Sequence, residues 1–267
     1  MAEPAAVRAG RVVAVVPLRD GSSGKSRLAH VLDPAARSRL VAVLARHVVS
    51  TLLASGGVDR VVVVTSDPRF TWGALRDVVV DRATAHAEDG PPLLTDDADR
   101  LRIVLQPADR PGLNAAVDVG REVAAQDGPA RVLVAHADLP ALTTDDVAAL
   151  LAEDAPVVVA ADRHRSGTNL LLLDPPWSAP SSTGLMSSSA SERHEGRARQ
   201  VFRSRFGVDS LAAHRAEADR VGARATVVQR PGTATDLDTL DDWSELPAPV
   251  RAAVGRHVPA LHDGEAG

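Results

Sequence analysis

"RVVAVVPLRDGSSGKSRL", residues 11–28, joins an apolar run to a loop rich in glycine, serine and cations. The run at 11–17 is apolar almost throughout, which predicts a strand that is buried on both faces. The next segment, 33–57, has helical periodicity, with Asp33 as N-cap and Pro34 in the first position. A buried strand, a loop and a helix in this order predict one unit of a parallel α/β fold.

The same alternation continues along the chain. Apolar or β-branched runs predict further strands at 58–67, 101–106, 131–138, 156–162, 169–174 and 225–229. Helical patterns lie between or after them at 72–76, 111–126, 143–154, 209–221 and directly after Asp238. We therefore expect an α/β fold with a mainly parallel sheet and helices on both faces. Ligands of such sheets bind beyond the carboxyl ends of the strands, so functional residues are expected there.

Composition excludes several classes of protein. The chain has 267 residues, a net charge of −5 and no cysteine, so disulfides, thiolate metal sites and cysteine nucleophiles are excluded. It contains three tryptophans, three phenylalanines and no tyrosine, and no basic cluster recurs, which argues against nucleic-acid binding. Because no signal region and no apolar run of membrane-spanning length are visible, we expect a soluble cytoplasmic protein that binds no membrane.

Two segments differ from the regular pattern. Residues 175–200 are dominated by serine, proline and charged residues, and they are expected to form a flexible excursion. Residues 1–246 are expected to form one domain, and 247–267 a C-terminal helix and tail.

The loop after the first strand contains Lys25, the only lysine of the chain. A phosphate-binding P-loop needs a glycine five residues before the second glycine, and Arg19 stands at that position, so the spacing fails. A solvated turn is one alternative. The other is an anion site, because Arg19, Lys25 and Arg27 bring three cations to the end of the strand.

Acidic residues are found at the same predicted edge. Asp138 ends a strand, and Asp236 and Asp238 are two positions apart, so their side chains point the same way in an extended segment. Three carboxylates together would form a hard oxygen site for Mg2+. Helix capping is the alternative role for these acids. His136 lies nearby, without a second histidine at metal-ligand spacing.

Six motifs, taken in order, resemble one family. They are GKSRL, GLNAAV, HADLPAL, RSGTNLLLLDPP, FGVDSLAAH and TDLDT, and the match runs from Arg11 to Trp243. They resemble the phosphoenolpyruvate and 2-phospho-L-lactate guanylyltransferases of coenzyme F-420 biosynthesis, within the MobA-like nucleotidyltransferase superfamily. The resemblance implies a single-domain, Rossmann-like fold. It also implies transfer of GMP from GTP to the phosphate of phosphoenolpyruvate, or of 2-phospho-L-lactate, with release of pyrophosphate.

The resemblance also implies roles for particular residues. Lys25 and Arg27 would hold phosphates as catalytic cations, and Arg19, Gly112 and Asn114 would lie at the nucleotide. Mg2+ would be held by Asp138 and Asp238, with Asp236 beside them, and phosphoenolpyruvate by Thr168, Gly207 and Ser210.

Three features depart from the family pattern: Arg19 replaces a lysine, His136 replaces an acid of some members, and the excursion 175–200 is long. A MobA-like transferase for another phosphorylated acceptor, such as molybdopterin or a sugar phosphate, is one alternative, although its Gly-Gly-x-Ser-x-Arg-Met-Gly opening is missing. A catalytically silent nucleotide-binding protein is the other. A homodimer is possible.

Overall fold

The computed structural model describes residues 10–19, 25–85, 100–176 and 201–263. Within these ranges the strands are β1 (Val12–Leu18), β2 (Arg60–Thr65), β3 (Leu101–Leu105), β4 (Arg131–Ala135), β5 (Val157–Ala161), β6 (Thr168–Leu173) and β7 (Ala225–Val228). The helices are α1 (Pro34–Ala54), α2 (Pro68–Ala85), α3 (Leu113–Ala125), α4 (Thr144–Leu151), α5 (Ser210–Arg220), α6 (Pro231–Ala234), α7 (Leu240–Glu245), α8 (Ala248–Gly255) and α9 (Ala260–Asp263). A 3-10 turn covers Ser26–Leu28.

The seven strands form one sheet in the order β3-β2-β1-β4-β6-β5-β7. Every neighbouring pair is parallel except the two that involve β6. The predicted α/β fold with a mainly parallel sheet is therefore confirmed. The strand order reverses between β1 and β4, and a crevice at such a switch point is where ligands of these sheets bind.

Strand β6 runs antiparallel to β4, with Leu170 opposite Ala135. Consequently Thr168, the first residue of β6, lies at the edge where β1 and β4 end. The sequence did not reveal this reversal, because an antiparallel strand buried on both faces is as apolar as a parallel one.

The core lies on both faces of the sheet, as predicted. One face packs against α1, α2 and α4, and the other against α3 and α5. Successive residues of β1 alternate between the two faces, with Ala14 on the first and Val15 on the second. Helix α3 approaches β1 so closely that any side chain at Gly120 would clash with Val15.

A third apolar cluster joins the start of the chain to its C-terminal part. It contains Leu237 and Trp243, and around them lie Leu28, Leu32, Ala36, Leu40, Leu44, Leu246, Val254, Val258 and Leu261. The prediction of a single helix after residue 246 was wrong, because the structure has two short helices there, α8 and α9. Pro259 explains the break, since proline lacks an N–H and disfavours helical backbone at the residue before it.

Helix α2 also differs from the prediction, since it spans Pro68–Ala85 rather than residues 72–76. Asp67 caps its start by accepting a hydrogen bond from the Phe70 N–H at 3.0 Å. Most of the excursion predicted at 175–200 lies outside the described residues. Among the helices that are described, none is both long and apolar enough to cross a membrane.

Candidate active site

Lys25 follows β1 and joins two acids from distant parts of the chain. Its Nζ lies 2.6 Å from Asp138 Oδ2 and 2.6 Å from Asp238 Oδ1. The Lys25 side chain is only 7% exposed, and its backbone is left-handed, with φ of 56°. It is therefore no solvated surface lysine. Burial alone would lower the pKa of Lys25, but Asp138 and Asp238 outweigh it and raise this pKa above its ordinary value.

The local sequence directs Asp238 towards the site. Thr239, not Asp238, is the N-cap of α7, and the Asp242 carboxylate accepts from the N–H groups of Asp238 and Thr239 at 3.0 and 2.8 Å. The Leu237 N–H donates to the Asp138 carbonyl at 3.1 Å. These bonds fix the acidic segment beside β4 and leave the Asp238 carboxylate free of a capping role.

The three predicted acids come together. Asp138, Asp236 and Asp238 each offer one carboxylate oxygen, and these atoms lie within 4.8 Å of one another. Burial, followed by repulsion from Asp138 and Asp238, raises the pKa of Asp236. Burial acts in the same direction on Asp138, but attraction to Lys25 prevails and lowers the pKa of Asp138.

This cluster fits a hard divalent cation. Asp138 Oδ1 is buried and has no hydrogen-bond partner among the described residues. An unpartnered buried carboxylate oxygen is costly, and a cation held by neighbouring acids would remove that cost. All the candidate ligand atoms are carboxylate oxygens, which Mg2+ prefers.

Two cavities open at the same edge of the sheet. The first has a volume of about 410 Å3 and lies at the ends of β1 and β2 and the start of α3, with Arg19 and Gly112 in its lining. The second, of about 350 Å3, is lined by Lys25, Asp138 and Asp238. Pro17, Leu18, Arg19 and Leu113 line both cavities. Arg27 is exposed and lines neither of them.

Asn114 lies in the first turn of α3 and binds the main chain of a distant residue. Its Nδ2 donates to the Phe206 carbonyl at 2.9 Å, and its Oδ1 accepts from the Phe206 N–H at 2.8 Å. Thus both ends of its amide hold the segment next to Gly207. Its predicted contact with a nucleotide stays a prediction.

Two of the three residues predicted for the acceptor, Thr168 and Ser210, are in direct contact. The Thr168 N–H donates to Ser210 Oγ at 2.9 Å, and Gly207 lies on the exposed loop just before α5. Thr168 and Ser210 are 1% and 3% exposed, and neither lines the two cavities. Both residues are therefore almost fully covered by protein.

Sequence reasoning gave no role to His214, the last residue of the FGVDSLAAH motif. Its Nδ1 lies 3.0 Å from Thr168 Oγ1, and its Nε2 lies 2.9 Å from the Arg205 N–H. The only sequence signal was its position in that motif. His136 lines the second cavity, its ring centroid lies 5.2 Å from that of Phe206, and its buried Nε2 has no partner within the described ranges.

The chain is similar to curated proteins over most of its length. It is 35% identical over 240 residues to a phosphoenolpyruvate guanylyltransferase of Rubrobacter xylanophilus, covering 89% of this chain and 94% of the relative. It is 30% identical over 251 residues to a 3-phospho-D-glycerate guanylyltransferase of Phenylobacterium zucineum, covering 92% of both. No family model matches the chain.

Its fold is similar to that of a solved protein from Desulfovibrio desulfuricans G20, assigned to the nucleotide-diphospho-sugar transferases. The TM-score is 0.60 at 14% identity, and the match covers 97% of this chain and 96% of that one. At this identity the likeness concerns the fold alone.

Proposed function

We propose, since the chain belongs to the family of phosphoenolpyruvate guanylyltransferases, that it transfers GMP from GTP to phosphoenolpyruvate and releases pyrophosphate. The observation that carries this proposal is the Lys25 ammonium held by Asp138 and Asp238 at the lining of the second cavity. A reaction between two anionic phosphates needs positive charge more than it needs a nucleophilic side chain, and Lys25 together with a cation held by the three carboxylates would provide it.

In the proposed reaction, an oxygen of the acceptor phosphate attacks the α-phosphorus of GTP. A new phosphorus–oxygen bond forms, and the bond between the α-phosphorus and the oxygen leading to the β-phosphate breaks. Pyrophosphate leaves with that bonding pair. No covalent enzyme intermediate is required, so the protein's task is to position two anions and neutralise their charge.

Asp138, Asp236 and Asp238 would hold Mg2+, which when bound polarises phosphoryl oxygens and neutralises developing charge. Lys25 contributes a fixed positive charge beside the same acids. Arg19 lines both cavities and supplies a second cation where the phosphate chain would pass between them. Arginine presents a planar fork of donors to phosphate oxygens, so its replacement of the family's lysine retains the charge and changes the hydrogen-bond geometry.

We assign the first cavity to the nucleoside of GTP. Its volume of about 410 Å3 lies within the range of small-molecule sites, and its lining combines apolar side chains with the Gln106 amide. The Gln106 Nε2 donates to the carbonyls of Arg110 and Gly112 at 2.7 and 2.9 Å, which orders the loop before α3. Positive φ at Gly112, 94°, suits a turn that brings main chain close to a ligand.

The acceptor is a three-carbon acid that carries a phosphate. We favour phosphoenolpyruvate, the acceptor in the name of the Rubrobacter relative, and with it a place in coenzyme F-420 synthesis. The relative from Phenylobacterium makes 3-phospho-D-glycerate a specific second candidate. 2-Phospho-L-lactate differs from phosphoenolpyruvate only by reduction of the carbon–carbon double bond, so it belongs in the same comparison.

The test is pyrophosphate release by purified protein with GTP, Mg2+ and each of these three acids in turn. We expect the highest kcat/KM with phosphoenolpyruvate. Asp138→Asn should lower turnover by about 100- to 1000-fold, the range for loss of a preorganised charge-stabilising group. Asp145→Asn removes an exposed acid at the start of α4 and is the matched control. GTP binding without release for any acid would establish a silent nucleotide-binding protein instead.

A further inference from the structure

His214 lies in an aromatic enclosure behind the acceptor loop, residues 205–209. It is 0% exposed, its ring is stacked with that of Phe202 at 6.1 Å between centroids, and it meets the Phe206 ring edge-on at 4.7 Å. The enclosure holds the imidazole plane, so the two ring nitrogens keep different partners.

Those partners determine which nitrogen carries the proton. The Arg205 N–H can only donate, so Nε2, 2.9 Å away, must accept and has no hydrogen of its own. Burial is the main reason why the pKa of His214 is lowered to about 4, so the ring is neutral at pH 7. The single proton therefore resides on Nδ1, and it is donated to Thr168 Oγ1 at 3.0 Å.

As a result, two neighbouring hydroxyl groups each have a hydrogen that is available for donation. Thr168 Oγ1 accepts from His214, and Ser210 Oγ accepts from the Thr168 N–H. In the part of the chain that the structure describes, neither hydroxyl has a protein acceptor for its own hydrogen. A carboxylate or phosphate oxygen accepts only, and would therefore complete both groups.

Gly207 directly follows Phe206, whose ring contacts His214. A Cβ at this position would meet no atom within 4 Å, and φ of 140° there is a conformation that side chains rarely adopt. The main chain just before it is held at Arg205 by His214 and at Phe206 by Asn114. His214 thus fixes both the position of the loop and the orientation of the Thr168 hydroxyl.

We propose that His214 is a positioning residue for the acceptor: its Nδ1–H tautomer makes the Thr168 hydroxyl a donor to an anionic oxygen of the three-carbon acid. This inference rests on the proposed function. It adds a residue that acts through Thr168 and the Arg205 main chain without touching the substrate.

A matched pair of substitutions separates the two hydrogen bonds of the ring. His214→Asn places an amide N–H near the position of Nδ1 and keeps the donor to Thr168. His214→Gln places an amide oxygen near the position of Nε2, which keeps the acceptor for Arg205 and loses the donor to Thr168. We expect His214→Gln to raise the KM for phosphoenolpyruvate about tenfold, as for a lost hydrogen bond to a charged group, with the KM for GTP nearly unchanged. His214→Asn keeps the donor to Thr168 and loses the acceptor for the Arg205 N–H, so it should raise the KM for phosphoenolpyruvate less than His214→Gln does.

Nitrogen-15 NMR of histidine-labelled parent protein gives a readout that is independent of activity. We expect a protonated Nδ1 and an unprotonated Nε2 for His214 at pH 7, and the opposite tautomer would overturn the inference. An unchanged acceptor KM in a folded His214→Gln variant would overturn it as well, and so would an equal rise of both KM values. If the parent releases no pyrophosphate with any three-carbon acid, the proposed function fails, and the positioning role fails with it.

Discussion

The acid cluster (Asp138, Asp236 and Asp238) and the hydroxyl pair (Thr168 and Ser210) lie at the same edge of one sheet but satisfy their polar atoms differently. The Asp138 and Asp238 side chains are 26% and 40% exposed, and both form ion pairs with the Lys25 ammonium. The two hydroxyl residues are almost fully buried; Ser210 Oγ accepts from the Thr168 N–H, and Thr168 Oγ1 accepts from His214. Carboxylates need a counter-charge before they can leave water, whereas hydroxyl groups need only correct geometry. We infer that the acid cluster contributes charge to the site, and that the hydroxyl pair contributes hydrogen-bond donors in a fixed orientation.

The strongest test of this division is to remove the positive charge of Lys25, which is paired with the acid cluster. Lys25→Ala should lower kcat/KM for both substrates about 100-fold, because a fixed cation beside reacting phosphates is lost. Arg76→Ala is the control, since Arg76 lies on α2 and its side chain is 67% exposed. Full activity of both variants in the pyrophosphate assay would contradict a role for this charge in the reaction.

The region around the hydroxyl pair should respond to pH through stability. The pKa of His214 is about 4 in the folded chain and about 6.5 when unfolded, so below pH 6.5 the unfolded chain binds a proton that the folded chain does not. The free energy of unfolding should fall by about 2 kcal/mol between pH 7 and pH 5 from this group alone. Urea unfolding at both pH values checks this, and His214→Gln should remove that part of the decrease. An identical decrease in parent and variant would contradict it.

A third test asks whether the acids act as one cation site. Asp238→Asn should raise the Mg2+ concentration for half-maximal turnover at least about tenfold, as for impaired metal sites. The effect of adding Asp236→Asn should be less than multiplicative, because both residues would serve one ion. Asp241→Asn changes an exposed acid three residues further on and should leave the Mg2+ requirement unaltered. Strict multiplicativity would show that the two acids act separately.

The smallest expected effect concerns a single hydroxyl. Ser210→Ala should weaken acceptor binding about tenfold, as for one lost hydrogen bond to a charged group, and leave GTP binding nearly unchanged. Ser244→Ala is a suitable control, because Ser244 is exposed and its hydroxyl donates to the nearby Asp241 carbonyl. Separate titrations of the two ligands decide the outcome. A loss of GTP affinity alone would mean that the hydroxyl pair serves the nucleotide.

Local patterns were sufficient to predict the parallel strands and the position of the acids. Apolar runs predict buried strands, and residues at the ends of parallel strands share an edge, so Lys25 and Asp138 were both expected at that edge. The spacing of Asp236 and Asp238 predicted a common direction, and their carboxylates do lie together.

The region around the hydroxyl pair could not be predicted in the same way. Asn114 bonds to Phe206 across 92 positions and His214 to Thr168 across 46, and no local pattern encodes such a partner. The direction of β6 was also invisible, although it brings Thr168 to the functional edge. The domain limits, the Mg2+ ligands and the possible homodimer stay predictions.

Leu237 stands between the two acids of the C-terminal segment, and its side chain is fully buried in the apolar cluster with Val254, Val258 and Leu261. The position of both carboxylates therefore depends on residues that are far from any ligand. A shortened version of this protein that stops at residue 246 would keep every candidate site residue and still lose the packing beneath them.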